Sequence, residues 1–120
     1  RKGLFSLDGQ PPQIVCSQQN FRLVRGLFAD TIPQFIEAVT RPVRFVHIDC
    51  CLFSSTLSVL EGLAGRIVSG TIMVFDEYFN YPGWEQHEHR ALRAFAQRHA
   101  WPYDYLAFTP DYHSVAIRFR

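Results

Sequence analysis

Val43-Arg44-Phe45-Val46-His47-Ile48-Asp49 and Thr71-Ile72-Met73-Val74-Phe75-Asp76-Glu77 are the two stretches that decide the fold of this chain. Each is a short, largely apolar and β-branched run that stops at acid, the pattern of a strand buried on both faces whose end reaches water. Between them, Ser54, Ser55 or Thr56 can cap a helix in which Leu57, Leu60, Leu63 and Ala64 recur at offsets of three and four and make one apolar face. Strand, helix and strand in this order predict a parallel pair with a helical crossover.

Upstream, Phe21 to Gly26 is β-rich and closes at Gly26. Asp30 or Thr31 can then cap a short helix with Ile32, Phe35, Ile36 and Val39 as its apolar positions; its first turn tolerates Pro33, and Pro42 marks its end. Residues 1–20, with Gly3, Gly9, Pro11, Pro12, Ser17 and Asn20 around Ile14 to Cys16, have no helical period and read as a loop. Downstream of an aromatic loop, Tyr78 to Trp84, the segment from about Glu85 to His99 carries Ala91, Leu92, Ala94, Phe95 and Ala96 at helical spacing, and Trp101-Pro102 ends it. Tyr103 to Phe108 and Ser114 to Phe119 read as two strands joined by a short hairpin connection. The order over 21–120 is β-α-β-α-β-α-β-β, an α/β chain with a mostly parallel sheet covered on both faces and an antiparallel C-terminal hairpin that reverses one edge strand.

Composition narrows the function. With 120 residues, 48% hydrophobic and 19% charged, the chain has enough apolar side chains for one compact domain, which excludes disordered and collagen-like classes. Twelve basic residues against eleven acidic leave a formal charge of +1, and the basic residues are scattered from Arg1 to Arg120 rather than aligned, so neither a nucleic acid nor an anionic membrane is expected as partner. There is no apolar run of membrane-spanning length and no secretory signal pattern, which makes a cytoplasmic location the expectation. Cys16, Cys50 and Cys51 are odd in number with two adjacent, so they suggest neither a disulfide framework nor a CxxC clip, and reduced thiols are expected. The chain opens on Arg1-Lys2-Gly3 with a loop pattern, which suggests a piece of a longer protein.

Ligands of open α/β sheets sit outside the carboxyl ends of the strands, and Asp49, Asp76 and Glu77 occupy those ends. Carboxylates converging there can hold a hard cation such as Mg²⁺ or act as a base; they can equally cap a helix or end a strand in water. Cys50 and Cys51 with His47 make a poor soft-metal set, because adjacent strand residues point to opposite faces. His87 and His89, with Glu85 or Glu88, do not share a helix face, and this stretch reads as a solvated helix start. Tyr78, Phe79, Tyr81 and Trp84 can wall a substrate pocket or simply pack, and the Tyr81 to Trp84 loop can serve a homo-oligomer interface as readily. No GxGxxG, GxxxxGK[ST] or GxSxG is present, so dinucleotide, nucleoside triphosphate and hydrolase readings lack a motif.

Three motifs in order, Gly26-Leu27-Phe28-Ala29-Asp30-Thr31-Ile32-Pro33, Val46-His47-Ile48-Asp49-Cys50-Cys51-Leu52-Phe53-Ser54-Ser55-Thr56 and Gly70-Thr71-Ile72-Met73-Val74-Phe75-Asp76-Glu77-Tyr78, resemble the macrocin O-methyltransferase family of class I S-adenosylmethionine-dependent methyltransferases. More distantly they are similar to catechol O-methyltransferase. The resemblance, from about residue 20 onward, implies a Rossmann-like sheet of order 3-2-1-4-5-7-6 with the last strand inserted antiparallel. The five strand candidates are then the third to the seventh, the first two are lacking, and Gly3 to Gly9 is the loop after the second. Phe21 to Gly26 is left without a neighbour, so the expectation is a four-stranded core in residues 43–120 with residues 1–40 loosely docked.

The same resemblance places Gly26, Phe28 and Ala29 beside the adenine of S-adenosylmethionine and implies Asp49 as a further cofactor contact, with Asp49 or a metal-bound hydroxyl left as the catalytic base. It implies Asp49, Asp76 and Glu77 as Mg²⁺ positions that polarise an acceptor hydroxyl on a sugar or secondary metabolite. The family commonly has Asp-x-Asp-x-Tyr where this chain has Asp49-Cys50-Cys51-Leu52-Phe53, and the lysine base of catechol-type enzymes has no counterpart near Leu52. Cys51 stands in place of the second acid, which impairs metal binding if that acid is the ligand; and because the first two strands are lacking, a second function stays open, a non-catalytic methyltransferase-like module for assembly with a partner.

Overall fold

The strand-helix-strand unit forms as its apolar spacing dictates. β1 (Phe45–Ile48) and β2 (Ile72–Phe75) pair in parallel with Phe45 opposite Ile72 and Ile48 opposite Phe75, and α2 (Phe53–Leu63) crosses between them, following α1 (Phe28–Ala38) in the chain. A computed structural model describes residues 7–15 and 20–120, so the readings of Gly3 to Ser6 and of Cys16 lie outside the described residues. A 3-10 turn at Trp84–Gln86 leads into α3 (Glu88–His99), and β3 (Tyr103–Phe108) and β4 (Val115–Phe119) form the C-terminal hairpin. Thr109 and Ser114 close that hairpin through the Thr109 N–H to Ser114 carbonyl bond and the Ser114 N–H to Thr109 hydroxyl bond.

The sheet order is β1-β2-β4-β3. β4 runs antiparallel to both neighbours, so the sheet is mixed, and the reversed strand is interior rather than at the edge that the alternation alone suggested. β3, the actual edge, runs in the same direction as β1 and β2, with an irregularity between Tyr105 and Ala107. The four-stranded core expected in residues 43–120 is present.

Strand alternation sorts the side chains. Ile48, Met73, Phe75, Val115, Ile117 and Phe119 point to one face, where Leu60 and Leu63 of α2 and Ala91, Leu92 and Phe95 of α3 complete a single buried cluster. Side chains of the other face, such as Phe45 and Arg118, are exposed. The expectation of a sheet covered on both faces is therefore corrected: among the described residues, helices cover one face only. A continuous apolar run cannot distinguish one covered face from two when the uncovered positions are also apolar.

Three boundaries differ from the sequence reading. α1 begins at Phe28, so Asp30 is inside its first turn rather than capping it, and the Thr31 hydroxyl instead donates back to the Leu27 carbonyl at 3.0 Å. α2 begins at Phe53 with Leu52 as its flanking residue, which puts Ser54, Ser55 and Thr56 in the first turn. Phe21 to Gly26 is not a strand: residues 20–25 carry no regular structure and residues 20–30 are exposed. Its β-rich composition fits a strand, but a strand needs a neighbour for its backbone donors and acceptors.

α1 is the most weakly held helix, with no buried residue. Ile32 and Ile36 rest against the core cluster, and Arg66 ties the helix end down by donating from Nε to the Val39 carbonyl at 3.0 Å and from Nη2 to the Ile36 carbonyl at 3.2 Å. Ile32 also lies so close to Gly62 of α2 that a Cβ there would meet Ile32 Cγ2 at 2.7 Å.

Candidate active site

The carboxyl ends of β1 and β2 turn outward into Asp49-Cys50-Cys51 and Asp76-Glu77. Parallel pairing sets them side by side, because the Asp76 N–H donates to the Ile48 carbonyl at 2.9 Å, one step beyond the ladder. Asp49 is exposed, while Asp76 and Glu77 are half-buried. The Asp76 carboxylate accepts from the Ser114 hydroxyl at 3.2 Å and lies 3.8 Å from His47 Nε2, an ion pair when that ring is protonated.

Cys51 stands at the apex of a tight turn, in the left-handed region at φ 60, and the Leu52 N–H reaches the Cys50 carbonyl at 2.6 Å across it. Burial, a hydrogen bond to the Glu77 carboxylate and the charges of Glu77, Asp49 and Glu88 push its thiol up to about 11. Cys50 is likewise pushed up to about 11, by burial first and then by the Glu88 charge. Both thiols are protonated near neutral pH.

Glu88, dismissed by the sequence reading as part of a solvated helix start, is fully buried. Its Oε1 accepts from the N–H groups of Cys50 and Cys51, each at 3.3 Å, and its Oε2 accepts from the Glu77 N–H at 3.0 Å. Burial raises its pKa against those three donors, which pull it down. The signal was in the periodicity: Glu88 lies three, four and seven residues before Ala91, Leu92 and Phe95, on the apolar face of α3. The neighbouring His89 is half-buried and packed; it sits edge-on to Trp84 at 4.7 Å and to Tyr78 at 5.2 Å, and burial lowers its pKa.

Two clefts flank this acidic centre. One, of about 610 Å³, brings Phe28, Phe35, His47 and Asp49 together between α1 and the edge strand β1. It unites two of the expected cofactor residues, Phe28 and Asp49; Ala29 is exposed on α1, and Gly26 precedes the helix at φ +145, where a Cβ would meet Thr31 Cγ2 at 2.7 Å. An exposed aromatic ring facing a carboxylate across an open cleft suits the flat base and polar ribose of a nucleoside. The other cleft, of about 670 Å³, is walled by Tyr78, Phe79, Trp84, Tyr105 and Phe108. Tyr78 is buried there, its hydroxyl 2.7 Å from that of Tyr105; outside the cleft, the Tyr81 hydroxyl donates to the Glu77 carbonyl at 3.0 Å.

The metal expectation fares differently. Among the described residues, no group of three or more His, Cys, Asp or Glu side chains is arranged to hold a metal ion. Asp76 faces Ser114 and His47 while Asp49 faces the first cleft, so with Glu77 these three do not form a donor set as they stand.

An α/β protein with an acidic centre and two clefts at the carboxyl edge of its sheet is the class defined so far. Residues 15–105 match the model of the macrocin O-methyltransferase (TylF) family, and the chain belongs to that family. It is also similar to two solved structures of one protein: the apo structure of CalS11, a TDP-rhamnose 3'-O-methyltransferase of calicheamicin biosynthesis (26% identity, TM-score 0.62), and a second crystal structure of that calicheamicin methyltransferase (27% identity, TM-score 0.62). Both similarities cover 79% of this chain, which spans 39% and 36% of those two chains. Among curated proteins there is no match. No helix among the described residues is long and apolar enough to cross a membrane.

Proposed function

We propose that the chain is part of an S-adenosylmethionine-dependent O-methyltransferase that methylates a hydroxyl of a sugar or a secondary metabolite. The observation that carries the reading is the family match over residues 15–105, a stretch that includes the acidic ends of β1 and β2, set side by side by the Asp76 N–H to Ile48 carbonyl bond. The order β1-β2-β4-β3 is then the stretch from the fourth strand to the end of a 3-2-1-4-5-7-6 Rossmann-like sheet, with the first two strands outside this chain. A sugar acceptor is supported by the solved relative's own substrate, a TDP-linked rhamnose.

Phe28, with Gly26 and Ala29 beside it, would hold the adenine of the cofactor, and Asp49 its polar side. When bound, S-adenosylmethionine supplies an electrophilic methyl on a sulfonium. The aromatic wall of Tyr78, Phe79, Trp84 and Phe108 takes the apolar body of the acceptor and excludes water, which leaves its hydroxyl toward the acidic loops. The Asp49 carboxylate would accept the proton of that hydroxyl, which leaves the acceptor oxygen nucleophilic and oriented toward the cofactor site. Cys51 does not serve as this base, because a thiol held near 11 is protonated at neutral pH.

That same Cys51 favours the second reading, a non-catalytic module assembling with a partner, since the family commonly carries acid there. Calorimetric titration of S-adenosylhomocysteine into this chain, and into the chain within its full reading frame, separates the two. Saturable binding by the longer form supports the enzyme, and absence of binding by both overturns it.

A further inference from the structure

We propose that Glu88 is a positioning residue of the acidic centre, whose one buried carboxylate fixes the loop after β1 and the loop after β2 at a set spacing. Glu88 sits on α3, an element that contributes no side chain to either acidic loop, yet it takes the amide protons of Cys50 and Cys51 on one oxygen and that of Glu77 on the other. The Cys50 and Glu77 amides directly follow Asp49 and Asp76, so their anchorage sets the direction in which both carboxylates leave the sheet. β1 and β2 do not supply this restraint themselves, since their ladder ends with the Asp76 N–H to Ile48 carbonyl bond. The arrangement is also the one route by which a buried carboxylate at the start of α3 is satisfied: among the described residues its hydrogen bonds are these three, all from backbone N–H groups. A side chain serving only to fill the core would be apolar at this position of the Ala91, Leu92, Phe95 stripe.

This role deepens the methyltransferase reading, because the loops it spaces carry Asp49, Asp76 and Glu77, but the bonds themselves do not depend on it. Glu88→Gln keeps the shape and leaves one acceptor oxygen, while its amide nitrogen faces an N–H on the other side. The test is amide hydrogen exchange on the wild-type protein, on E88Q and on E88A. In the wild type, the amides of Cys50, Cys51 and Glu77 are slow. In E88Q, one loop is released and the other kept, with exchange at least about tenfold faster either at Glu77 alone or at the Cys50 and Cys51 pair alone; in E88A all three are released. Leu60 and Ile117, deep in the core, stay within about twofold of wild type in E88Q.

Fast exchange at all three amides in the wild type, unchanged exchange at all three in E88Q, or equal acceleration at Leu60 and Ile117 in E88Q each overturns the proposal. S-adenosylhomocysteine binding by the wild-type chain within its full reading frame, measured alongside, tells the two failures apart. Binding with no loop release in E88Q rejects the positioning role and leaves the methyltransferase reading standing. Loop release with no binding does the reverse.

Discussion

On the helix-covered face of the sheet, Ile48, Met73, Phe75, Ile117 and Phe119 are each at most 1% exposed; on the opposite face, Phe45 is 61% exposed. The same four strands build both faces, and their residues alternate between them with the period of two that any strand imposes. What differs is the cover: α2 and α3 close one face, and the described chain supplies nothing equivalent to the other. Apolar side chains on the open face thus mark a surface whose hydrophobicity exceeds what the described chain uses, and stability should depend almost wholly on one side of the sheet.

The sharpest way to break this comparison is Phe75→Ala. Phe75 is fully buried between β1 and β4, and its truncation is expected to cost about 3–5 kcal/mol in urea unfolding. A loss under about 1 kcal/mol would mean that the covered face is not the core. Next comes Thr71→Val, which keeps the volume but removes a buried hydroxyl that donates to the Val43 carbonyl at 2.6 Å and accepts from the Val68 N–H at 3.0 Å. About 1–3 kcal/mol should be lost, with the entries to β1 and β2 the first amides to gain exchange.

Gly62→Ala sets two effects against each other. Alanine favours the helix by about 1 kcal/mol, but its Cβ would press on Ile32, so α1 should be displaced while the sheet survives. Faster proteolytic cleavage between residues 26 and 40, with little change in melting temperature, is the expected result. Phe45→Thr on the open face should change stability by no more than about 0.5 kcal/mol and improve solubility, as judged by light scattering. A cost comparable to that of Phe75→Ala would show that something covers this face after all. Smallest of all in its effect on stability is the Cys51 thiol: alkylation by iodoacetamide should be slow at pH 7 and accelerate only as the pH approaches 11, because the thiolate is the reacting species and its carboxylate neighbours disfavour it.

How much of this was legible in the sequence follows from the kind of signal each feature leaves. The two apolar runs ending in acid placed Asp49, Asp76 and Glu77 at one edge, since strand ends in a parallel pair are adjacent whenever the crossover is a single helix. The hairpin of Tyr103 to Phe119 was equally plain, because its partners are neighbours in the chain. Phe21 to Gly26 was misread because its β-rich composition reports what a strand could bury, not whether a partner exists for its backbone. Glu88 was missed because a charged residue beside His87 and His89 looks solvated by composition, although its position on the Ala91, Leu92, Phe95 stripe argued for burial. That its partners would be the N–H groups of Cys50, Cys51 and Glu77 was beyond sequence reasoning, since backbone amides carry no residue-specific signature.

The interior place of β4 bears on the order in which the protein is made. β2 and β3 both depend on Val115–Phe119 for a neighbour, yet these residues are synthesised after every other element of the sheet. Until they leave the ribosome, β2 presents one open edge and β3 has no partner, whatever the state of the helices. Assembly of the described sheet is therefore late and concerted: of its strands, a nascent chain stalled before Val115 would pair only β1 with β2, and chaperone engagement should persist until β4 threads between the two waiting for it.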